Sequence, residues 1–363
     1  MLSYVNAFVF WIIALPFFIW QGRYEGPKVL WFLTGGFFLT LFWIIKLYHN
    51  YKSLAFSWID FFYLLWLVIL FVASVKGLHP LASIVGGSYR HQGVLFFLTL
   101  WLTGKTLIVL TKRERSSLRR GLARVVFLEA IIVILQVTFG KTYFGRPLGT
   151  LGGPNTVAGF LTMGLFFIDK AFRGRNLSII VTLVFVAVLL TGSRAGIAGL
   201  LIMVVFFLLS SFKKVLFWKI SIILGILALS GLVILTAFKQ RPSSKFENRG
   251  LFWEMAISFI RQRPLLGYGA ETQEVLYEKE FARQEMPLSE MMVDRSHNLF
   301  LDIILWSGFS GLALFLLWIG SNIRQMIIGK QYVNIAALFS WFVFSMFQPL
   351  GVIHWLLLIL ILV

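Results

Sequence analysis

The sequence predicts an all-α, polytopic integral membrane protein that forms a single transmembrane domain over residues 1–363. The first observation is composition. Hydrophobic residues make up 59% of the chain and charged residues 13%, whereas soluble domains have about 45–50% and about 25%. The second observation is length. Because a span and its connection need little more than roughly 20 apolar residues, the chain has room for about twelve transmembrane helices.

The apolar runs give the elements in order. Predicted spans occupy residues 4–20, 29–45, 59–75, 93–110, 122–139, 155–172, 177–192, 195–212, 219–238, 298–320, 333–347 and 349–363. The first run has no basic leader and no small-residue cleavage site, which predicts a retained span instead of a signal peptide. One hydrophilic stretch, residues 239–297, separates spans nine and ten. We expect short helices within it.

The distribution of Lys and Arg predicts how the chain is oriented. Loops after even-numbered spans carry more than twice as many of these residues as the short loops after odd-numbered spans. The positive-inside rule therefore places the even loops in the cytoplasm and residues 239–297 on the external, periplasmic face of a bacterial inner membrane. The net charge of +18 is explained by this orientation, so no nucleic-acid partner is predicted.

Metal and thiol chemistry are not predicted. The chain has no cysteine, which excludes a thiolate metal site and a thiol nucleophile. None of its five histidines has a partner at a metal-ligand spacing. Two charged residues are predicted inside spans, Lys105 and Glu129. We expect them to form a structural pair or Lys105 to snorkel to the interface, with a proton relay as the less favoured alternative.

Polar and glycine-rich motifs collect on the predicted external face, and they point to an anionic ligand. Arg194 begins span eight, where the helix dipole and free backbone N–H groups favour negative charge. An arginine fork suits phosphate oxygens. Arg249 opens a stretch with apolar residues at helical spacing, typical of an interfacial helix. The alternative that Arg194 and Arg249 only anchor span ends at the interface stays open.

His297 is the candidate general base. It lies between a polar stretch and an apolar helix, and a neutral imidazole titrates near working pH. The alternative is a boundary role, in which Ser296 or Asn298 caps span ten. Asp302, five residues further on, is expected to orient the imidazole or to line an external polar cavity.

Several motifs in order resemble the O-antigen ligase and polymerase family of bacterial envelope enzymes. They are residues 87–93 (GSYRHQG), 149–155 (GTLGGPN), 193–195 (SRA), Arg249 with Trp253, 264–269 (PLLGYG), 294–301 (DRSHNLFL) and 308–311 (GFSG). They extend over about residues 79–311, and the span count and long external loop agree with the same family.

The resemblance implies a GT-C-like fold and a glycosyltransferase reaction. The donor would be a glycan on undecaprenyl pyrophosphate, and the acceptor a hydroxyl on a lipid A core, a growing glycan chain or a protein. No cofactor and no catalytic metal are implied. Arg194 and Arg249 would bind the pyrophosphate and His297 would be the base. Supporting site residues are Arg90, Arg146, Asn155, Arg295, Asn298 and Asp302. Arg295 departs from the family pattern and would add a third cation that keeps His297 neutral.

Three functions therefore remain open within the family and one outside it. An O-antigen ligase-like activity leads, followed by a polymerase and a protein O-glycosyltransferase. The rival from another class is a transporter or flippase of the same lipid-linked glycan. Transporters are typically built from repeated halves with polar sites at mid-depth, whereas this sequence has no visible repeat and its polar motifs lie outside the spans.

Overall fold

The computed structural model describes residues 2–20, 23–49, 56–87, 89–169, 171–211, 249–284 and 293–363. Predicted span nine, residues 219–238, and parts of the long external loop, residues 239–248 and 285–292, lie outside the described residues.

The described residues form α-helices joined by short connections. The helices are α1 (Leu2–Ala14), α2 (Glu25–His49), α3 (Trp58–Val75), α4 (Pro80–Val85), α5 (Val94–Val109), α6 (Lys112–Thr138), α7 (Pro154–Ile168), α8 (Gly174–Leu190), α9 (Arg194–Ser211), α10 (Arg249–Gln262), α11 (Gln273–Arg283), α12 (Leu299–Ile328), α13 (Tyr332–Ser345) and α14 (Val352–Leu362). Within these residues, strand-like pairing is limited to two isolated bridges, Trp20 with Arg23 and Tyr143 with Arg146. The predicted all-α class is confirmed.

Each predicted span within the described residues corresponds to an apolar helix, although the lengths differ. Four helices, α2, α3, α6 and α12, are long and apolar enough to cross a membrane, and the other apolar helices are shorter. Helix α6 begins ten residues before its predicted span, at Lys112. A capping box explains this early start, because the Thr111 side chain accepts from Glu114 N and Glu114 accepts from Thr111 N.

Helix α14 is central to the bundle. Every residue from Val352 to Ile361 is buried, and the helix packs against α2, α5, α7 and α13. The last apolar run therefore forms a core helix that other helices surround, and it does not form a lipid-facing span.

The expected pairing of Lys105 with Glu129 is wrong. Lys105 Nζ lies 2.9 Å from Asp60 Oδ2, so its charge is neutralised by a residue at the start of α3. Glu129 instead accepts two 2.7 Å hydrogen bonds from the N–H and hydroxyl of Thr150. Buried Lys28 donates to Thr150 O at 3.0 Å. Glu129 and Lys28 thus hold the loop between α6 and α7.

The segment from Pro264 to Ala270 inserts beside a break in α12. Gly308 has φ 67° and ψ −173° and interrupts the helix. Tyr268 N and Gly269 N donate to the freed carbonyls of Leu305 and Trp306 at 2.7 and 3.0 Å. Phe309 N donates in return to Pro264 O at 2.8 Å. The inserted segment therefore replaces hydrogen bonds lost at the break and fastens the long loop to α12.

Candidate functional site

The turn that carries His297 is built at the start of α12. Asn298 is the N-cap, and its Oδ1 accepts from Phe300 N at 3.0 Å and Leu301 N at 3.3 Å. Of the two predicted capping candidates, Asn298 has this role. His297 has a φ of 55°, a left-handed conformation that is costly for a residue with a Cβ. Such strain is found preferentially at functional sites.

Helix α10 is fastened to this turn. The Trp253 indole donates to Ser296 O at 2.9 Å. The Phe252 ring stacks on the His297 ring, with centroids 6.4 Å apart and planes inclined by 26°. Because Arg249 begins α10, it lies one helical turn from Trp253. The predicted interfacial helix is thus the element that positions Arg249 relative to His297.

A buried hydrogen-bond network fixes Ser296. Asp302 Oδ1 accepts from Ser296 N at 2.8 Å and from Gln273 Nε2 at 2.6 Å. The Tyr277 hydroxyl donates to Ser296 Oγ at 3.0 Å, and burial raises the pKa of Tyr277, so this phenol stays protonated. Asp302 therefore acts on the backbone that precedes the imidazole. Gln273 and Tyr277 lie on α11 and were missed from the sequence, where nothing distinguished them from other residues of the long loop.

The role expected for Arg295, a third cation beside the base, is not what its contacts show. Its side chain is buried and ion-paired with Glu271. It also donates to Gln273 Oε1 at 2.7 Å and lies 4.7 Å from the centroid of the Trp306 ring. The Glu271 carboxylate neutralises this charge, so Arg295 joins α11 to α12.

Arg90 and Asp294 bring a second loop to the same turn. The Arg90 guanidinium is ion-paired with Asp294, three residues before His297. Burial alone would raise the pKa of Asp294. The charges of Arg90, Arg295 and His297, together with a hydrogen bond from Arg90, instead hold this pKa below its usual value. Burial alone would lower the pKa of Arg90, but the charge of Asp294 raises this pKa above its usual value. The carboxylate beside His297 is therefore ionised.

Arg146 and Asn155 lie at the turn that leads into Arg194. Arg146 Nε donates to Thr191 O at 2.8 Å, and its terminal nitrogen donates to Asn155 Oδ1 at 2.9 Å. Ser193 Oγ then accepts from Gly196 N at 3.2 Å, which places Arg194 as the first residue of α9. Arg146 and Asn155 thus brace the helix N-terminus that carries Arg194.

Residues near the start of α14 connect the pair of Arg146 and Asn155 with the loop that carries Arg90. Asn155 Nδ2 donates to Gln348 Oε1 at 3.1 Å, and Gln92 Nε2 donates to Leu350 O at 2.8 Å. Glu25 Oε1 accepts from Val352 N at 2.6 Å. Glu25, Gln92 and Gln348 were not among the predicted site residues. The polar interruption before the last span was the signal for Gln348.

The candidate site contains cationic and imidazole side chains. Among the residues that the structure describes, no group of three or more His, Cys, Asp and Glu side chains could hold a metal ion.

Comparison with known proteins adds to this geometry. Residues 179–316 match the model of the O-antigen ligase family. The resemblance to that family is confirmed. The segment that matches O-antigen ligase includes Arg194, Arg249 and His297, from α8 to the middle of α12.

A similar protein is the ComP-specific O-oligosaccharyltransferase of Acinetobacter baylyi. It is 25% identical over 187 residues, which cover 47% of this chain and 34% of that relative. The chain thus matches about a third of the relative's length.

Proposed function

We propose that the protein transfers a glycan from undecaprenyl pyrophosphate to a hydroxyl acceptor on the external face of the cytoplasmic membrane, as an O-antigen ligase-like enzyme. The observation that carries the proposal is that the family match covers the one segment in which α10 is fastened to the His297 turn. That segment holds an imidazole and two arginines, the groups that this transfer requires.

The reaction needs a base and stabilisation of the leaving group. His297 takes the proton of the acceptor hydroxyl while that oxygen attacks the anomeric carbon. The bond from the anomeric carbon to the pyrophosphate oxygen breaks, and its electron pair leaves with undecaprenyl pyrophosphate. Ionised Asp294 lies near enough to interact with His297, and it favours the imidazolium that forms.

Arg194 and Arg249 stabilise the negative charge on the leaving pyrophosphate. Arg194 is the first residue of α9, where the helix dipole favours an anion. Arg249 is the first described residue of α10. A guanidinium fork adds bidentate hydrogen bonds to phosphate oxygens. Cationic side chains placed where charge develops perform the task that a metal ion performs in other transferases.

A reconstitution experiment separates transfer from transport. Purified protein in liposomes is mixed with undecaprenyl-pyrophosphate glycan and with an acceptor. We expect glycan on the acceptor and release of undecaprenyl pyrophosphate. Movement of unchanged donor across the membrane, without glycan transfer, would instead establish a flippase.

Acceptor identity requires a parallel comparison. A lipid A core is the leading candidate, and a growing glycan chain would make the protein a polymerase. The similarity to an O-oligosaccharyltransferase that is named for its protein partner favours including a protein acceptor. The three acceptors are offered separately at equal concentration, and the ratio of their transfer rates decides among them.

A further inference from the structure

A tight turn in the connection between α6 and α7 carries two aromatic side chains. Tyr143 N donates to Arg146 O at 2.8 Å, and Arg146 N donates to Tyr143 O at 3.0 Å. The two residues between them, Phe144 and Gly145, have φ values of 49° and 72°. A two-residue hairpin with two left-handed residues is a rigid turn in which Asn-Gly is the preferred pair. Residues 143–146 are called the aromatic turn below.

Phe144 is an unusual residue at this position of the turn. A positive φ is costly for a residue with a Cβ, and for a bulky side chain it is a genuine outlier. Burial of the ring does not offset that cost, because Phe144 is 86% exposed. A Cβ at Gly145 would meet no described atom within 4 Å. Packing within the described structure therefore does not explain the phenylalanine, and its ring is available for a contact outside the chain.

The base of the aromatic turn is fixed to the bundle. Arg146 Nε donates to Thr191 O at 2.8 Å, and a terminal nitrogen of Arg146 donates to Asn155 Oδ1 at 2.9 Å. Thr191 follows α8, and Asn155 lies in the first turn of α7. The Tyr143 ring, itself 60% exposed, contacts the Phe144 ring edge-on, with centroids 4.5 Å apart. Two helix ends thus hold the pair of rings in place.

The aromatic turn continues two exposed apolar surfaces. Helix α6 is long and apolar enough to cross a membrane, and Leu135 and Phe139 are exposed at its end. Leu189 and Leu190 are exposed at the end of α8, directly before Thr191. Contiguous exposed apolar side chains mark surfaces that contact a partner or a membrane, and on membrane-spanning helices they face lipid. The turn therefore begins where two lipid-facing surfaces end, which is the depth of the membrane boundary.

We propose that the aromatic turn inserts into the boundary between lipid headgroups and acyl chains and anchors the connection between α6 and α7 there. Aromatic side chains are enriched at this depth, and exposed Lys141 is close enough along the chain to reach lipid phosphates. Because Arg146 is bonded to Thr191, the anchor also fixes the depth of the turn that leads into Arg194. The proposal depends neither on the transferase activity nor on which leaflet this end faces.

Site-directed spin labelling tests the depth of the aromatic turn. The chain has no native cysteine, so Tyr143→Cys in the full chain takes a single nitroxide and keeps the Phe144 ring. The protein is placed in liposomes of phosphatidylethanolamine and phosphatidylglycerol, prepared with a water-soluble nickel chelate on both sides. Electron paramagnetic resonance measures collisions with oxygen, which concentrates in hydrocarbon, and with the chelate. The reference is Glu278→Cys, exposed on α11. We expect a several-fold higher ratio of oxygen to chelate collisions at residue 143.

A second substitution identifies the anchoring ring. Phe144→Asn keeps the turn, since Asn followed by Gly suits it, but removes the apolar side chain. In the Tyr143→Cys background, Phe144→Asn should lower the collision ratio at residue 143 toward that of Glu278→Cys. Tyr48→Asn replaces another exposed aromatic residue, at the end of α2, and should leave the ratio at residue 143 unchanged.

Two results would overturn the proposal. Equal collision ratios at residues 143 and 278 would place the aromatic turn in water, where its rings could contact only a glycan or a protein. An unchanged ratio at residue 143 after Phe144→Asn would show that the Phe144 ring does not hold the turn in the membrane. The first result needs no change at Phe144, so it decides the question even if Phe144→Asn fails to fold.

Discussion

His297 stands in a left-handed turn between a fixed serine and a helix cap. Ser296 is held by Asp302, Tyr277 and Trp253, and Asn298 begins α12. The imidazole is therefore presented by backbone geometry that does not depend on the imidazole itself. This separation allows its chemistry to be removed without disturbing the turn.

Replacing His297 tests the general base. His297→Ala should lower single-turnover transfer by about 10²–10⁴-fold, the range for general-base assistance, while donor binding persists. His297→Asn should lose as much activity with little change in melting temperature, since Asn tolerates left-handed backbone.

His91 supplies the matched control, because it also has a positive φ, 54°. His91→Asn should be much milder than His297→Asn. Full turnover in His297→Asn would show that the imidazole has no role in proton transfer. Loss of donor binding would show that His297 binds the pyrophosphate instead.

Arg194 and Arg249 test recognition of the leaving group. Arg194→Lys and Arg249→Lys keep the charge but lose the planar fork. Each should lower transfer about 10- to 100-fold, the loss expected for charged hydrogen bonds. The measurement is initial rate at saturating acceptor, with exposed Arg261→Lys on α10 as control. Near-full transfer in both variants would show that the arginines only anchor helix ends.

The pair of Arg90 and Asp294 predicts a pH-dependent stability. The pKa of Asp294 is lowered in the folded protein, so its contribution to stability is present above its ordinary pKa of about 3.9 and is lost as the pH falls through the lowered value. Arg90→Gln removes the charge that lowers this pKa. Its melting temperature should lie below that of the unmodified chain at pH 7, and the gap should narrow toward pH 3. A gap independent of pH between 7 and 3 would contradict the assignment.

Among the helices, the break in α12 connects the long loop to the bundle. Gly308 has φ 67°, and a Cβ there would overlap the backbone of Leu265. Only glycine therefore permits the inserted segment to approach. Helix α10, whose end leads directly into that segment, depends on the break for its position.

Gly308→Ala should consequently destabilise the protein and reduce transfer together. Essentially only glycine adopts φ 67° together with ψ −173°, and other residues lose about 1–3 kcal/mol there; the overlap adds to this cost. Gly320→Ala lies in the same helix, where a Cβ meets no atom within 4 Å, and should leave the melting temperature unchanged or slightly raised. Equal melting temperatures for the two variants would show that α12 tolerates closure of the break.

Across the bundle, the candidate residues Arg249 and His297 belong to the long loop, whereas the basic residues at the start of α6 lie in a loop that the charge distribution predicts to be cytoplasmic. This arrangement predicts that the long loop and the N-terminal part of α6 face opposite sides of the membrane. The absence of native cysteine makes the prediction simple to test with single introduced cysteines.

Glu278→Cys on α11 and Arg113→Cys on α6 replace exposed residues. An impermeant thiol reagent applied to intact cells should label the first and not the second. Labelling of Arg113→Cys alone would invert the orientation and remove the external site, since the donor would then have to be used from the cytoplasmic face.

The helices and the local motifs of the candidate site could be predicted from the amino-acid sequence alone. Apolar runs about as long as a span fold as helices because the backbone must satisfy its hydrogen bonds locally in an apolar environment, and every described run did so. The motifs around Arg194, Arg249 and His297 are short local patterns, so they could be recognised as candidates without the fold. Ser296 and Asn298 were both recognisable as cap candidates for the same local reason, and the structure shows that Asn298 is the cap.

Contacts between residues far apart in the sequence could not be predicted and became known from the fold. The sequence favoured Lys105 with Glu129 because they lie on consecutive spans, yet Asp60 neutralises Lys105 and Thr150 satisfies Glu129. Arg295 looked like a cation for the base until Glu271 and Trp306 enclosed it. Helix α14 forms the core because other helices surround it. Hydropathy cannot distinguish a helix buried in protein from one that faces lipid. Partners of this kind are set by packing between segments far apart in sequence, so local patterns carry no record of them.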